Sequence, residues 1–285
     1  MTTELCAYSV EACETARRAG VTRVELCASP YEGGTTPSAA AIRMARRIGG
    51  LQLSVMVRPR GGDFLYSDTE FRQMLEEVRF ARECGADGVV FGVLTPDGRV
   101  DVQRTAALVA EAGPMQTTFH RAFDMACDLE EALEAAVAAG CRRILTSGGR
   151  NTAVEGIDTL RALVAQAAGR IELMAGSGVN PSNVRQLAAT GVDAVHFSAR
   201  SVRPGLLWLA NSVCTLLTIC TPIGIADVAA GEGALQVWIV RGVVTNRKSS
   251  ISLPSGDTAC ARTPAGQGWR SLNESRGQYF CTSRR

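Results

Sequence analysis

Short β-branched or apolar runs alternate with amphipathic helical runs from residue 4 to residue 200, at the spacing of strand–helix units of about 30 residues. Eight strands are expected, over residues 4–8, 23–28, 52–58, 88–94, 116–121, 142–147, 171–176 and 194–199. The intervening helices carry start signals of their own. Ser67 and Glu70 form a capping box ahead of Phe71, Met74, Leu75 and Val78, and Asp128 with Glu131 precedes the stripe Leu129, Leu133, Ala136, Val137. Asn180 followed by Pro181 predicts a third helix start, with proline at the first helical position. Eight such units, with no Rossmann glycine fingerprint after the first strand, predict an α/β fold that closes as a (β/α)8 TIM barrel rather than a doubly wound open sheet. In such barrels the chemistry sits at the C-terminal ends of the strands.

Composition narrows the function classes. The formal charge of +2 hides an asymmetry: residues 1–200 hold 21 basic and 24 acidic side chains, the remainder 9 and 4. No long basic stripe is present, which argues against nucleic acid as a partner. Ten cysteines in 285 residues, with no charged and apolar leader before Glu4, fit a reducing compartment, the cytoplasm first and the nucleus second. There thiols stay free, as core residues or as soft metal ligands.

Six strand ends carry candidate chemistry. The third runs into Arg58-Pro-Arg60-Gly-Gly-Asp-Phe64, where two guanidinium groups and a glycine turn could hold a carboxylate or phosphate, or could lock the barrel rim. The fifth ends in His120-Arg-Ala-Phe-Asp124; His120 is one of two histidines, a candidate proton carrier or a satisfied core residue. Ser147 and Gly148 after the sixth strand, with Gly176 and Gly178 after the seventh, resemble the barrel anion site, although tight turns alone would also need such residues.

The first and second strands end in the same tripeptide, Glu4-Leu-Cys6 and Glu25-Leu-Cys27. Side chains alternate along a strand, so each glutamate shares a face with its cysteine while Leu5 and Leu26 face the helices. The carboxylates are then expected in the barrel, within reach of Arg58 or Arg60. Two thiols on neighbouring strands suit a soft, low-coordinate ion such as Cu(I), and inert packing is the alternative. No CxxC spacing suggests a four-thiolate zinc site. Cys13, Cys84 and Cys141 sit in or beside helices and read as packing residues.

Taken in order, Glu25-Leu-Cys27, Glu32-Gly-Gly-Thr-Thr-Pro-Ser38, Arg58-Pro-Arg-Gly-Gly-Asp-Phe64, Tyr66-Ser-Asp68, Thr118-Phe-His-Arg-Ala-Phe-Asp124, Leu145-Thr-Ser-Gly148 and His196-Phe-Ser-Ala-Arg200 resemble the CutC family, described as copper homeostasis proteins. The resemblance spans residues 3–201. It implies a (β/α)8 barrel, homo-oligomeric and cytoplasmic, with Cu(I) held by cysteines at the positions of Cys6 and Cys27. The rival reading is a barrel enzyme of lyase or isomerase type acting on a small anionic or phosphorylated substrate. There Arg58 and Arg60 would orient the substrate, the loops after strands six and seven would hold its anion, and His120, with Asp124 or Glu25, would move protons.

The family pattern stops at Ser201. A barrel of residues 1–201 is expected, followed by a divergent tail, 202–285, in which the eighth helix is missing or replaced. Residues 205–226 carry no charge, and the chain beyond 241 reads as irregular. Twenty-two uncharged residues are long enough to span a bilayer, but Asn211, Pro222 and Gly224 argue against insertion, and 206–217 could equally stand in for the helix. An uncovered seam would expose an apolar patch of several hundred Å², enough to drive association or aggregation in place of the family's ordered oligomer. This chain is therefore expected to melt below a version ending in an ordinary eighth helix; equal melting temperatures and equal monodispersity would mean that the tail closes the seam.

Overall fold

The computed structural model describes residues 1–199, 201–203 and 225–227, all within the first of the chain's two units, Met1–Val244. Eight parallel strands close on themselves in sequential order: β1 (Thr2–Ala7), β2 (Arg23–Leu26), β3 (Gln52–Met56), β4 (Gly88–Phe91), β5 (Gln116–Phe119), β6 (Arg143–Thr146), β7 (Glu172–Ala175) and β8 (Ala194–Phe197). β8 pairs with β1, Glu4 standing opposite His196. Among the described residues, seven α-helices alternate with them: α1 (Val10–Arg18), α2 (Ala39–Arg47), α3 (Asp68–Glu83), α4 (Val102–Ala112), α5 (Leu129–Ala138), α6 (Ile157–Ala167) and α7 (Val184–Ala188). The (β/α)8 barrel expected from the alternation is present.

Each strand stops one to three residues before the end that its apolar run suggested. Those last residues leave the ladder at the mouth, where the barrel spends them on loops. Ser67 and Glu70 make the capping box that opens α3, and Asp128 accepts from the backbone N–H groups of Glu130 and Glu131 to open α5. The start expected at Asn180 is displaced: Asn180 accepts from the N–H and Oγ of Ser182, which builds a turn, and α7 begins at Val184. A side chain occupied by the local turn does not cap a helix.

The main core lies between sheet and helices. Leu5, Val24, Leu26, Leu53, Val55, Val89, Ile144, Leu173 and Val195 point outward from the strands onto buried positions such as Met74 and Val78 of α3, Leu108 of α4, Leu133 of α5 and Leu160 and Leu163 of α6. The alternate, inward residues do not form the aliphatic layers usual in such barrels. Glu4, Arg23, Glu25, Ser54, Thr118 and Arg143 are all buried there, beside Cys6, Cys27, Met56 and Val90.

After β8 the described residues form β9 (Ser201–Arg203) and β10 (Ile225–Asp227), paired antiparallel. Apart from Ile225 and Ala226, the uncharged run 205–226, the stretch 206–217 and the chain beyond 241 lie outside the described residues. Among those described, no helix is long and apolar enough to cross a membrane.

Ser67→Ala removes the side-chain acceptor of the α3 cap and should lower stability by about 1 kcal/mol in urea unfolding. An unchanged midpoint would mean that α3 does not depend on its capping box.

Candidate metal centre at the barrel mouth

A cavity of about 670 Å³ opens at the C-terminal end of the strands, with Cys6, Glu25, Met56, Arg58, His120 and His196 on its walls. Glu4 lies beneath it, fully buried. One carboxylate oxygen meets His196 Nδ1 at 2.9 Å and the other meets Arg23 Nε at 2.7 Å. Glu25 on the next strand approaches the other side of the imidazole, 3.6 Å from Nε2. Cys6 and Cys27 bring their sulfurs within 3.9 Å, and the Cys27 thiol points at Glu25 Oε2, 3.4 Å away. Ligand atoms of Cys6, Glu25 and His196 all lie within 4.8 Å of one another.

The two cysteines are not level. Cys6 pairs with Glu25, so Cys27 stands two residues further along its strand, on the diagonal. Diagonal Cα atoms in a sheet are roughly 7–8 Å apart, beyond the reach of an unstrained disulfide. The side chains nevertheless converge, an arrangement that favours an ion bridging two sulfurs over an S–S bond.

Burial and mutual charge set the protonation pattern. The thiol–thiol hydrogen bond with Cys27 holds Cys6 well below the ordinary thiol range, and His196 assists against burial. Cys27 is driven well above that range by the same hydrogen bond, by burial and by the charges of Cys6 and Glu25. For His196 burial opposes the charge, but Glu25, Cys6 and Glu4 outweigh it and hold the imidazole well above its usual value. Burial likewise works against Glu4, and His196, Arg23 and Arg143 overcome it to lower its carboxyl. Glu25 is pushed by burial to about 8, with His196 offsetting part and Cys6 adding to it. These shifts favour negative charge on Cys6, the proton on Cys27 and positive charge on His196 between the two carboxyl groups.

The other sequence candidates lie around this centre. Arg58 does not reach the glutamates, because its guanidinium donates to the carbonyls of Glu32, Gly34 and Gly62 (2.7, 3.0 and 2.8 Å) and lies over Phe64. Arg60 is fastened to Glu70 (2.6 Å), Asp63 and the Leu65 carbonyl. The partner of Glu4 is instead Arg23, two residues before Glu25 on the same inward face. Asp124 fills the loop after β6: its carboxylate accepts from the N–H groups of Ser147 and Gly149 (both 3.0 Å), from Thr146 Oγ1 and Ser147 Oγ, and from Arg121 Nε. Ser147 and its neighbours thus hold an anion that the chain itself supplies, while the Gly148 N–H bonds Thr146 Oγ1. After β7, an added Cβ on Gly176 would lie 2.5 Å from Leu145, and the Gly178 carbonyl accepts from Asn180 and Asn183.

His120 faces the same cavity in a different state. Burial, then the charge of Arg58, lowers its pKa to about 3, and Nδ1 accepts from the Ala122 N–H at 3.1 Å, so Nε2 carries the proton. That N–H has no partner among the described residues. The ring fits because residue 92 is glycine: a Cβ there would lie 2.6 Å from Nδ1.

The class these features define is a closed (β/α)8 barrel whose mouth gathers two thiols, a histidine and a glutamate, donors that could hold a metal ion. The CutC family model matches residues 1–201, and the chain belongs to the CutC family. It is 52% identical over 198 residues to the family protein CutC of Chromobacterium violaceum, covering 69% of this chain and 80% of that one. Over 210 residues it is 44% identical to the mouse "copper homeostasis protein cutC homolog", 73% and 77% of the two chains. The solved structure of CutC from Streptococcus agalactiae superposes with a TM-score of 0.66 at 36% identity, over 69% of this chain and 97% of that one.

His196 is the residue that reading of the sequence left without a role. The signal was available: alternation puts it on the inward face of β8, and closure of β8 on β1 sets it opposite Glu4.

A neutral His120 that resists protonation down to about pH 3, against about 6.5 when unfolded, contributes stability that is full above 6.5 and lost as pH falls toward 3. The stability advantage of the wild type over His120→Gln should therefore shrink between about pH 7 and pH 4. A difference independent of pH in urea titrations would contradict a buried neutral ring.

Proposed function

We infer that the chain handles copper as cargo, binding Cu(I) between Cys6 and Cys27. The observation that carries this is the sulfur pair itself, 3.9 Å apart, with Cys6 on the wall of an open cavity and strands too staggered for a disulfide. Thiolates are the donors that a soft monovalent cation prefers, and two of them suit its low coordination number. Cys6 is biased toward the thiolate, and the arriving cation takes the place of the proton on Cys27, which is released to solvent through the open mouth. His196, backed by Glu4 and Arg23, keeps the negative sulfur in place before the ion arrives. The copper homeostasis name of the mouse relative agrees with this reading. An enzyme acting on a small anion has less support, because Arg60 and the 146–149 loop spend their donors within the chain and Arg58 commits both terminal nitrogens to loop carbonyls, leaving only Nε unpaired.

Replacing both Cys6 and Cys27 with serine should abolish stoichiometric Cu(I) binding in a competition titration under reducing conditions. Wild-type affinity should rise with pH, since binding releases the Cys27 proton. Unchanged affinity in the double variant would sink the assignment.

A further inference from the structure

The mouth holds two overlapping donor sets that share Cys6. One is mixed: Cys6, Glu25 and His196 offer sulfur, oxygen and nitrogen within 4.8 Å of one another. The second becomes visible when the strand register is followed one step further. β2 and β3 pair Val24 with Leu53, Glu25 with Ser54 and Leu26 with Val55, so the next pair along is Cys27 beside Met56. Strand neighbours stand about 4.8 Å apart. Leu53, Val55 and Val57 pack outward against the helices, which turns Met56 inward with Ser54.

The packing agrees with the register. Cys6, Cys27, Met56 and Val90 form one buried cluster inside the barrel, separate from the main core. A Cβ added to Gly34, in the loop that covers this cluster, would lie 3.3 Å from Cys27 Sγ and 3.7 Å from Cε of Met56, the methyl bonded to the thioether sulfur. Met56 and Cys6 also line the same cavity, so an ion arriving from the mouth meets both. A leucine or valine would fill this place in an ordinary barrel interior, and either is stiffer. Methionine is flexible enough to turn its sulfur toward a cation and back into the apolar layer.

The geometry points to Met56 as the third sulfur of the site, and to a division of labour between the two donor sets. Cys6, Cys27 and Met56 take a soft monovalent cation, Cu(I) or Ag(I), whereas Cys6, Glu25 and His196 suit a borderline divalent ion such as Zn(II). Thioether sulfur binds soft monovalent metals and contributes little to Zn(II), so Met56 is a specificity-determining residue. This rests on the two-cysteine reading above.

The full chain, reduced and labelled with selenomethionine, is loaded with Cu(I) and its X-ray absorption recorded at the copper edge. A selenium neighbour at bonding distance is expected in the wild type and is expected to be absent in Met56→Leu, a volume-conserving change. Competition titrations should show Met56→Leu lowering Cu(I) and Ag(I) affinity about tenfold or more while Zn(II) affinity is unchanged. A wild-type spectrum with sulfur but no selenium around copper overturns the role of Met56, whether or not the leucine variant folds. If that spectrum comes with loss of binding in the double-serine variant, the two-cysteine reading stands alone. Cu(I) binding that survives the double-serine change overturns both.

Discussion

A single buried carboxylate ties the ends of the barrel together. Glu4 has no exposure, and it is held by Arg23 from the second strand and His196 from the eighth. Leaving either charge without its partner in such a place costs about 3–5 kcal/mol, whereas an apolar replacement for the whole set is often neutral or better. Stability alone therefore does not account for an ionic cluster inside a barrel. What the cluster does achieve is placement: closing β8 on β1 carries His196 to the carboxylate and so to Cys6, two residues further along the same inward face.

From that placement the rest of the mouth follows. The hydrogen bond between the two sulfurs, 3.9 Å apart, lowers Cys6 and raises Cys27, His196 adds to the lowering of Cys6, and the stagger of the strands works against a disulfide. The loops around the centre are largely self-satisfied. Arg58 binds loop carbonyls, and Asp124 occupies the cradle after β6 that would otherwise receive an external anion. Among the residues lining the cavity, unspent capacity lies on the sulfur side and on the buried atoms Glu25 Oε1, His120 Nε2 and Arg58 Nε.

Periodicity made the barrel legible, because the twofold alternation of strands and the facial stripes of helices are local properties. The repeated Glu-Leu-Cys tripeptide revealed the thiol pair for the same reason: parity along each strand decides which side chains share the interior. What stayed hidden depended on closure and register. Arg58 and Arg60 looked like partners for the glutamates because they lie at a strand end, yet Arg23, within a strand, is the residue that closure brings to Glu4. Asn180 looked like a helix cap, and only the local turn with Ser182 shows why the helix starts later. The loop after β6, expected to take an external anion, surrounds the carboxylate of Asp124, and nothing in the loop's own residues discloses that this side chain, 22 positions before Thr146, fills it.

An ion held between the sulfurs of Cys6 and Cys27 at the barrel mouth has one defined position in the crystal. Anomalous diffraction at the copper edge, from crystals loaded with Cu(I) under reducing conditions, tests it most directly. One strong peak is expected between the two sulfurs, on the cavity side of Cys27. A peak at the exposed Cys127, or at Glu25 and His196 with neither Cys27 nor Met56 in contact, would contradict it.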